Sequence, residues 1–231
     1  MATKPLRLVV LVSGRGSNLR ALIQAQESGA LNARIVGVFS DRPRCAALAL
    51  AREYGLATFA FKPADYPSRE AFDESMFSQI RQVQPDLIVL AGYLRLISAG
   101  AVERFEGRMI NIHPSLLPKY PGLDTHSRVL AAGDGEHGAS VHRVSAELDA
   151  GSVLAQTRVP VLRGDTAESL AQRVLEREHV LLVETVKAIS DAQLALGIAQ
   201  TRWRGAPLRI PLVLNAADEL VNAADHLEED Q

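Results

Sequence analysis

Short apolar runs alternate with amphipathic segments along the first half of the chain. The apolar runs are rich in Val, Ile and Leu and hardly alternate with polar residues, as is typical of strands buried on both faces. They predict strands at 6–12, 35–39, 58–61, 87–91 and 109–112. The segments between them predict helices at 17–26, 46–54, 69–83 and 99–104. This order is typical of right-handed βαβ units, so we expect an α/β fold with a doubly wound, mostly parallel, Rossmann-like sheet.

The pattern changes after residue 113. Three prolines and Gly122 interrupt residues 114–124, which predicts a long ordered loop. A short helix at 125–132 follows, and strands at 139–144 and 152–161 lie close enough in sequence to add an antiparallel pair to the sheet. A long helix is predicted at 167–189, with Thr166 as its N-cap. The acidic, Ala-rich end at 215–231 predicts a short terminal helix or a frayed end.

Composition narrows the class of function. The formal net charge of −2 argues against a nucleic-acid partner bound through phosphate neutralisation. No apolar stretch reaches the ~20 residues that a membrane span needs, so we expect no membrane partner. The single cysteine, Cys45, cannot form an internal disulfide, which fits a reducing, cytoplasmic location. We therefore expect chemistry on small molecules, by a monomer or a homodimer.

A glycine-rich turn follows the first predicted strand. Gly14 and Gly16 permit a tight turn and close approach of a ligand to the backbone. A helix starting at Ser17 would direct its free N–H groups and its positive dipole end into that turn, where a phosphate is the natural guest. Two alternatives stay open: a plain strand–helix turn capped by Ser17 or Asn18, and half of a dinucleotide-binding motif whose third glycine position holds Leu19.

The fifth predicted strand ends in two polar residues that are two positions apart. Alternate residues of a strand project to the same face, so Asn111 and His113 should point together at the carboxyl end of the sheet, where doubly wound folds bind ligands. An amide donor and an imidazole, which exchanges protons near neutral pH, suit acyl transfer because they stabilise a developing oxyanion. Asp149, in a glycine-bearing loop, is the candidate to orient His113.

These segments resemble the formyltransferases that use 10-formyltetrahydrofolate. The run NIHPSLLPKYPG at 111–122 is long and unusual, and it is similar to the signature segment of that family. Further similar segments stand in the same order as in the family: the glycine turn at 14–19, SREAFD at 68–73, AGYLRLI at 91–97, ELDAG at 147–151, and Glu178-His179. Asp124 stands where relatives often carry histidine.

The resemblance implies an enzyme and assigns its residues. Asn111, His113 and Asp149 would be catalytic. The chain is most similar to the branch that formylates glycinamide ribonucleotide in purine synthesis, whose substrate would be held by Gly16, Ser17, Asn18 and Glu178. The formyl donor, 10-formyltetrahydrofolate, would be held by Arg69, Leu94, Arg95, Leu96, Ile97, Ser145, Ala146, Glu147 and Leu148. The formyl group would pass directly to the amine through a tetrahedral intermediate, without a metal.

Chain length favours that branch. Transfer-RNA formyltransferases add a C-terminal domain and formyltetrahydrofolate hydrolases add an N-terminal one, and 231 residues leave room for neither. We expect a catalytic domain at 1–200, whose first half binds phosphate and whose second half binds folate and carries the catalysis. The extension at 201–231, including Trp203 and Arg204, receives no role.

Three other interpretations stay open. His126, His137 and His142 lie near Asp124, Asp134 and Glu136, but the spacing matches no metal-binding motif. An oxidoreductase would bind a nicotinamide dinucleotide at the glycine turn, with Asp41 on its ribose. A sensor without turnover would bind folate or nucleotide, but binding alone does not need Asn111, His113 and Asp149 together.

Overall fold

The computed structural model describes residues 4–223 and divides the chain into two compact units, Met1–Asn111 and Ile112–Gln231. Within the described residues, no helix is both long and apolar enough to cross a membrane.

The first unit is built on parallel strands in the order β5-β4-β1-β2-β3. These strands are β1 (Leu6–Val12), β2 (Ala33–Ser40), β3 (Thr58–Ala60), β4 (Leu87–Leu90) and β5 (Met109–His113). Residues 8–12 of β1 are fully buried, as a central parallel strand covered on both faces should be. Each strand that the apolar runs predict is present, with its ends displaced by no more than two residues. The last two residues of β5 open the second unit.

Helices connect these strands at the predicted places. They are α1 (Ser17–Glu27), α2 (Ala46–Glu53), α3 (Arg69–Gln82) and α4 (Ala99–Arg104), with a short 3-10 helix at Pro63–Asp65. Sequence signals explain their ends: the Ser68 side chain, for example, accepts a hydrogen bond from the Ala71 N–H and so caps α3. The buried side of α3 carries large apolar side chains, including Phe72 and Phe77.

The second unit contains the predicted antiparallel pair, β6 (Glu136–Arg143) and β7 (Val153–Pro160). Helices α5 (Thr125–Ala132) and α6 (Ala167–Ser190) also lie in this unit. Thr166 caps α6 as predicted, through a reciprocal capping box with Ser169. The α/β class, with a mostly parallel sheet and an antiparallel strand group, is therefore confirmed.

The end of the chain differs from the prediction. A small sheet contains β8 (Leu194–Leu196), β9 (Thr201–Trp203) and β10 (Ala206–Pro207). β11 (Leu212–Leu214) pairs with β7 and forms a hairpin with β12 (Leu220–Asn222). The helix or frayed end expected from residue 215 is thus wrong through residue 222, because strand pairing rather than local propensity decides these short segments. The rest of that expectation, at 224–231, lies outside the described residues.

Candidate active site

The glycine turn has the geometry of an anion site. α1 begins at Ser17, and Gly16 is its N-cap in the left-handed region, at φ 84°. A side chain at residue 16 would lie 2.7 Å from the Ala47 Cβ, so both the backbone angle and the packing against α2 require glycine. The N-cap is Gly16, which has no side chain, so the expectation that Ser17 or Asn18 is the N-cap is wrong. The first-turn N–H groups point into the turn, where they can bind an anion.

Asp41 is buried in the first unit, where it accepts a hydrogen bond. It is 6% exposed, and its Oδ1 accepts a 2.5 Å hydrogen bond from the hydroxyl of Ser13, the residue after β1. A carboxylate that binds a ribose has to reach the ligand, whereas this one is turned into the protein. The geometry therefore argues against the dinucleotide interpretation. Sequence patterns did not reveal Ser13, because a serine before a glycine turn is common.

The predicted folate segment after β4 is unusual in its exposure. Leu94 is 56% exposed and Leu96 is 41% exposed, while Ile97 is buried. The Arg95 guanidinium lies over the Phe72 ring, 4.9 Å from its centroid, and its buried Nε has no hydrogen-bond partner among the residues described. Exposed leucines beside an unsatisfied buried donor are typical of a surface that binds a partly apolar ligand.

Arg69, the other cation predicted to bind folate in the first unit, is the first residue of α3. Its guanidinium pairs with Glu70 at 3.3 Å, and both side chains are exposed. An exposed pair of this kind contributes little stability, so Arg69 is free to exchange Glu70 for another carboxylate.

β5 carries Asn111 and His113 two positions apart, as predicted, so their side chains leave the same face of the strand. His113 is 6% exposed. Its Nε2 lies 2.9 Å from the backbone oxygen of Tyr120 and, because a carbonyl only accepts, this nitrogen donates. Tyr120 has φ 56°, a left-handed conformation that a non-glycine residue adopts only when its surroundings hold it there.

Asp149 reaches His113 in the folded second unit. Its Oδ2 is 3.4 Å from the Nδ1 of His113 and accepts a 2.8 Å hydrogen bond from the Gly122 N–H. Each ring nitrogen of His113 therefore faces an acceptor oxygen. The Asp149 backbone has φ 50°, which is strained for an aspartate. Strain of this kind concentrates at functional sites, so it supports the selection of Asp149.

The loop around Asp149 depends on a glycine. A Cβ at Gly151 would collide with the backbone oxygen of Arg143, the last residue of β6, so the connection can close only with glycine there. The Ser145 hydroxyl donates to the Glu147 carbonyl at 3.0 Å. Leu148 is 57% exposed, like the leucines after β4. Residues 145–148 thus form an ordered loop with an apolar side chain at its surface.

A buried serine holds the loop that follows His113. The Ser140 Oγ accepts a 3.0 Å hydrogen bond from the Leu117 N–H and donates to the Ser115 carbonyl at 2.7 Å. Gln156 donates to the same hydroxyl oxygen and to the Leu117 carbonyl, at 2.9 Å in each case. These bonds tie the start of loop 114–124 to β6 and β7, so the loop that presents Tyr120 and Gly122 is anchored at its beginning.

Three further histidines of the second unit differ in their partners. His142 Nε2 lies 3.6 Å from Asp149 Oδ1, and burial is the main cause that lowers the pKa of His142. His126 and His137 form a 3.0 Å ring-to-ring hydrogen bond. Burial, and then the nearby imidazoles, lowers the pKa of His137 to about 4.

Residues 4–223 contain no group of three or more His, Cys, Asp or Glu side chains that could hold a metal ion.

Glu178, the predicted ribose contact, is 7% exposed on α6. A carboxylate so deeply buried needs hydrogen-bonded or charged partners.

Comparison with known proteins identifies the family. A family model described as formyl transferase matches residues 6–186. The chain belongs to the formyl transferase family. It is 41% identical to the phosphoribosylglycinamide formyltransferase of Escherichia coli over 214 residues, which cover 93% of this chain and 100% of that protein. The protein of the same name from Mycobacterium tuberculosis is 44% identical over 186 residues, covering 80% of this chain and 86% of the relative.

A solved structure supports the same assignment. The phosphoribosylglycinamide formyltransferase of Coxiella burnetii matches with a TM-score of 0.85 and 42% identity, over 88% of this chain and 96% of that structure. The family that the sequence resemblance implied and the mixed α/β fold that the apolar pattern predicted are therefore confirmed.

Proposed function

We propose that this formyl transferase moves the formyl group of 10-formyltetrahydrofolate to the amine of glycinamide ribonucleotide in de novo purine synthesis. The observation that carries the proposal is the pair formed by His113 and Asp149, 3.4 Å apart, in a chain that aligns with glycinamide-ribonucleotide-specific relatives over most of its length. The acidic net charge and the single cysteine, Cys45, fit a small-molecule enzyme of a reducing, cytoplasmic compartment.

The ribonucleotide phosphate binds at the glycine turn in this proposal. The first-turn N–H groups of α1 and its positive dipole end stabilise the dianion. Ser17 and Asn18 add side-chain donors, and Gly16 provides the close backbone approach. Glu178 accepts hydrogen bonds from the ribose hydroxyls.

Folate binds along exposed apolar side chains in this proposal. In the first unit, Leu94 and Leu96 are each more than 40% exposed, and a ring bound there would remove them from water. In the second unit, Leu148 is also more than 40% exposed. The buried Nε of Arg95 supplies a donor for the ring. Arg69 lies on the surface, where it can pair with a carboxylate of the folate tail. Ile97 of the first unit, and Ser145, Ala146, Glu147 and Leu148 of the second unit, are the other residues that the family resemblance assigns to folate.

Chemistry proceeds by direct attack. The amine nitrogen forms a bond to the formyl carbon, and the carbonyl oxygen becomes an oxyanion. Asn111 and the Nε2–H of His113 donate to that oxygen, which takes over the hydrogen bond that Tyr120 accepts in this structure. Asp149 faces Nδ1 at 3.4 Å, which keeps the ring oriented. Collapse of the intermediate expels the folate nitrogen, which gains a proton as the amine loses one. In this proposal Asn111 and His113 stabilise the oxyanion without a metal.

The decisive experiment follows loss of the formyl group from 10-formyltetrahydrofolate, with and without glycinamide ribonucleotide. We expect turnover only when both substrates are present, together with a formylated ribonucleotide product. Loss of formyl at an equal rate without the nucleotide would identify a hydrolase and overturn the proposal. A titration with a nicotinamide dinucleotide should show no binding at the glycine turn.

A further inference from the structure

A buried polar relay connects two segments of the first unit that the proposed function assigns to different substrates. Ser13 directly follows β1 and precedes the glycine turn, and it is 1% exposed. Its hydroxyl oxygen accepts a 3.0 Å hydrogen bond from the Leu94 N–H, in the folate segment. The same hydroxyl donates to Asp41 Oδ1 at 2.5 Å.

The direction of this relay is set by chemistry. A backbone N–H only donates, so the Ser13 oxygen must accept from Leu94, and the single hydroxyl proton is left for Asp41. Donation to a carboxylate polarises a hydroxyl and makes its oxygen a better acceptor. The charge of Asp41, the first residue after β2, therefore strengthens the hold on Leu94 through Ser13.

Backbone bonds join the same two segments. The Ala91 N–H donates to the Leu11 carbonyl at 2.9 Å, and the Ser13 N–H donates to the Gly92 carbonyl at 3.0 Å. Ser13 therefore bonds to the segment after β4 twice. Its backbone N–H donates to Gly92, and its side-chain hydroxyl accepts from Leu94, two residues further along that segment. Removing the hydroxyl would free Leu94 and leave the buried Asp41 carboxylate without this donor.

We propose that Ser13 and Asp41 are positioning residues, which hold the phosphate-binding turn and the folate-binding segment in one fixed arrangement and so set the affinity for both substrates. Neither side chain is assigned a contact with a substrate. Ser13 acts through Gly14 on one side and through Leu94 on the other, and Asp41 acts through Ser13. The inference rests on the proposed function, because that function assigns the two segments to different substrates.

The test is a steady-state comparison of the wild-type chain with Ser13→Ala, Asp41→Asn and a matched control. The control is Thr185→Val, which also removes a fully buried hydroxyl, one that donates to the Leu181 carbonyl within α6. We expect Ser13→Ala to raise the KM for both substrates about tenfold, the ratio that follows from losing a hydrogen bond to a charged group.

Asp41→Asn removes the negative charge of the side chain but keeps nearly the same shape. Its amide oxygen can still accept from Ser13, so we expect a smaller rise in both KM values, about threefold. kcat should change less than KM in both variants, because the catalytic groups are untouched. Thr185→Val should change neither KM. Unfolding by denaturant, monitored in parallel, reports whether each variant folds, and Asp41→Asn decides the question if Ser13→Ala does not.

Two results would overturn the inference. One is an unchanged KM for either substrate in a folded Ser13→Ala chain, or in Asp41→Asn if only that variant folds. The other is an equal change in Thr185→Val, which would make the effect a general consequence of losing a buried hydroxyl. The proposed function fails separately, if the wild-type chain does not transfer the formyl group at all.

Discussion

The glycine turn at 14–19 and the cluster around His113 and Asp149 are built in opposite ways. The turn offers backbone N–H groups at the start of α1, and its shape depends on Gly16 at φ 84°. The cluster offers side chains: Asp149 faces His113 and accepts from Gly122. The glycine turn is formed by residues that are adjacent in the sequence. The cluster around His113 and Asp149 forms only after the second unit folds.

This difference predicts how each region responds to change. Backbone donors remain when a side chain is replaced, so the turn should tolerate side-chain substitutions unless they disturb its shape. Side-chain donors and acceptors disappear when they are replaced, so the cluster should lose activity while the fold survives.

The largest effect is expected at His113. His113→Ala removes the proposed oxyanion donor and should lower kcat by about 10³-fold, within the range for general acid–base groups. The circular dichroism spectrum should match that of the wild type. His126→Gln is the matched control, since that ring bonds to His137 rather than to Asp149, and it should retain most of the turnover. Near-normal transfer by His113→Ala would remove His113 from the mechanism.

Asp149→Asn comes next. Asparagine tolerates a left-handed backbone and can still accept from Gly122, so the loop should persist while the charge beside His113 is lost. We expect kcat to fall about 10²-fold. Asp124→Asn is the control, because Asp124 is also an aspartate at positive φ, here 56°, and it has no proposed catalytic role. If both variants lost equal activity, the loss would be a general effect of replacing an aspartate at positive φ and not specific to the carboxylate beside His113.

Gly16→Ala tests the backbone-built turn. The new Cβ would lie 2.7 Å from the Ala47 Cβ and would force alanine into φ 84°. We expect the free energy of unfolding to fall by about 3 kcal/mol, with a raised KM for the ribonucleotide. Gly29→Ala has nearly the same backbone angle, φ 77°, but no atom within 4 Å of the new Cβ, so it should cost only about 1 kcal/mol. Equal losses would show that packing against α2 is irrelevant.

The response to pH should come from the second unit. The pKa of His137 is lowered from 6.5 to about 4, mainly by burial, so the unfolded chain binds more protons between these values. This contribution to stability is complete above about pH 6.5 and is lost as the pH falls toward 4. We expect the free energy of unfolding to drop by about 2 kcal/mol from pH 7 to pH 5 on account of this residue. Denaturant titrations of His137→Gln should show a correspondingly smaller drop, and an unchanged drop would contradict the assignment.

The smallest effect is expected at Ser17. Ser17→Ala leaves the first-turn N–H groups of α1 in place and removes one side-chain donor, so the KM for the ribonucleotide should rise only about threefold. A rise as large as that of Gly16→Ala would show that the turn, too, binds through its side chains, and the contrast between the two regions would then fail.

Local sequence pattern alone predicted much of the secondary structure of this protein. Apolar runs predicted every strand of the first unit, and Thr166 marked the start of α6. Periodicity and capping are properties of neighbouring residues, so they can be read from the chain. The same holds for Asn111 and His113, since two positions along one strand place both on one face. The short strands after α6 were missed, because each is three residues or fewer and depends on a partner strand.

Only the tertiary structure shows which groups contact the predicted site residues. Asp149 lies 36 positions beyond His113, and only the folded loop brings its carboxylate to the ring. The carbonyl of Tyr120, the N–H of Gly122 and the hydroxyl of Ser13 left no pattern that marks them as functional. Their roles arise from contacts between distant segments, which chain spacing does not determine. The chain by itself therefore predicted which residues would carry the chemistry, and folding determined which groups contact them, because hydrogen bonds depend on distance in space and not on position in the sequence.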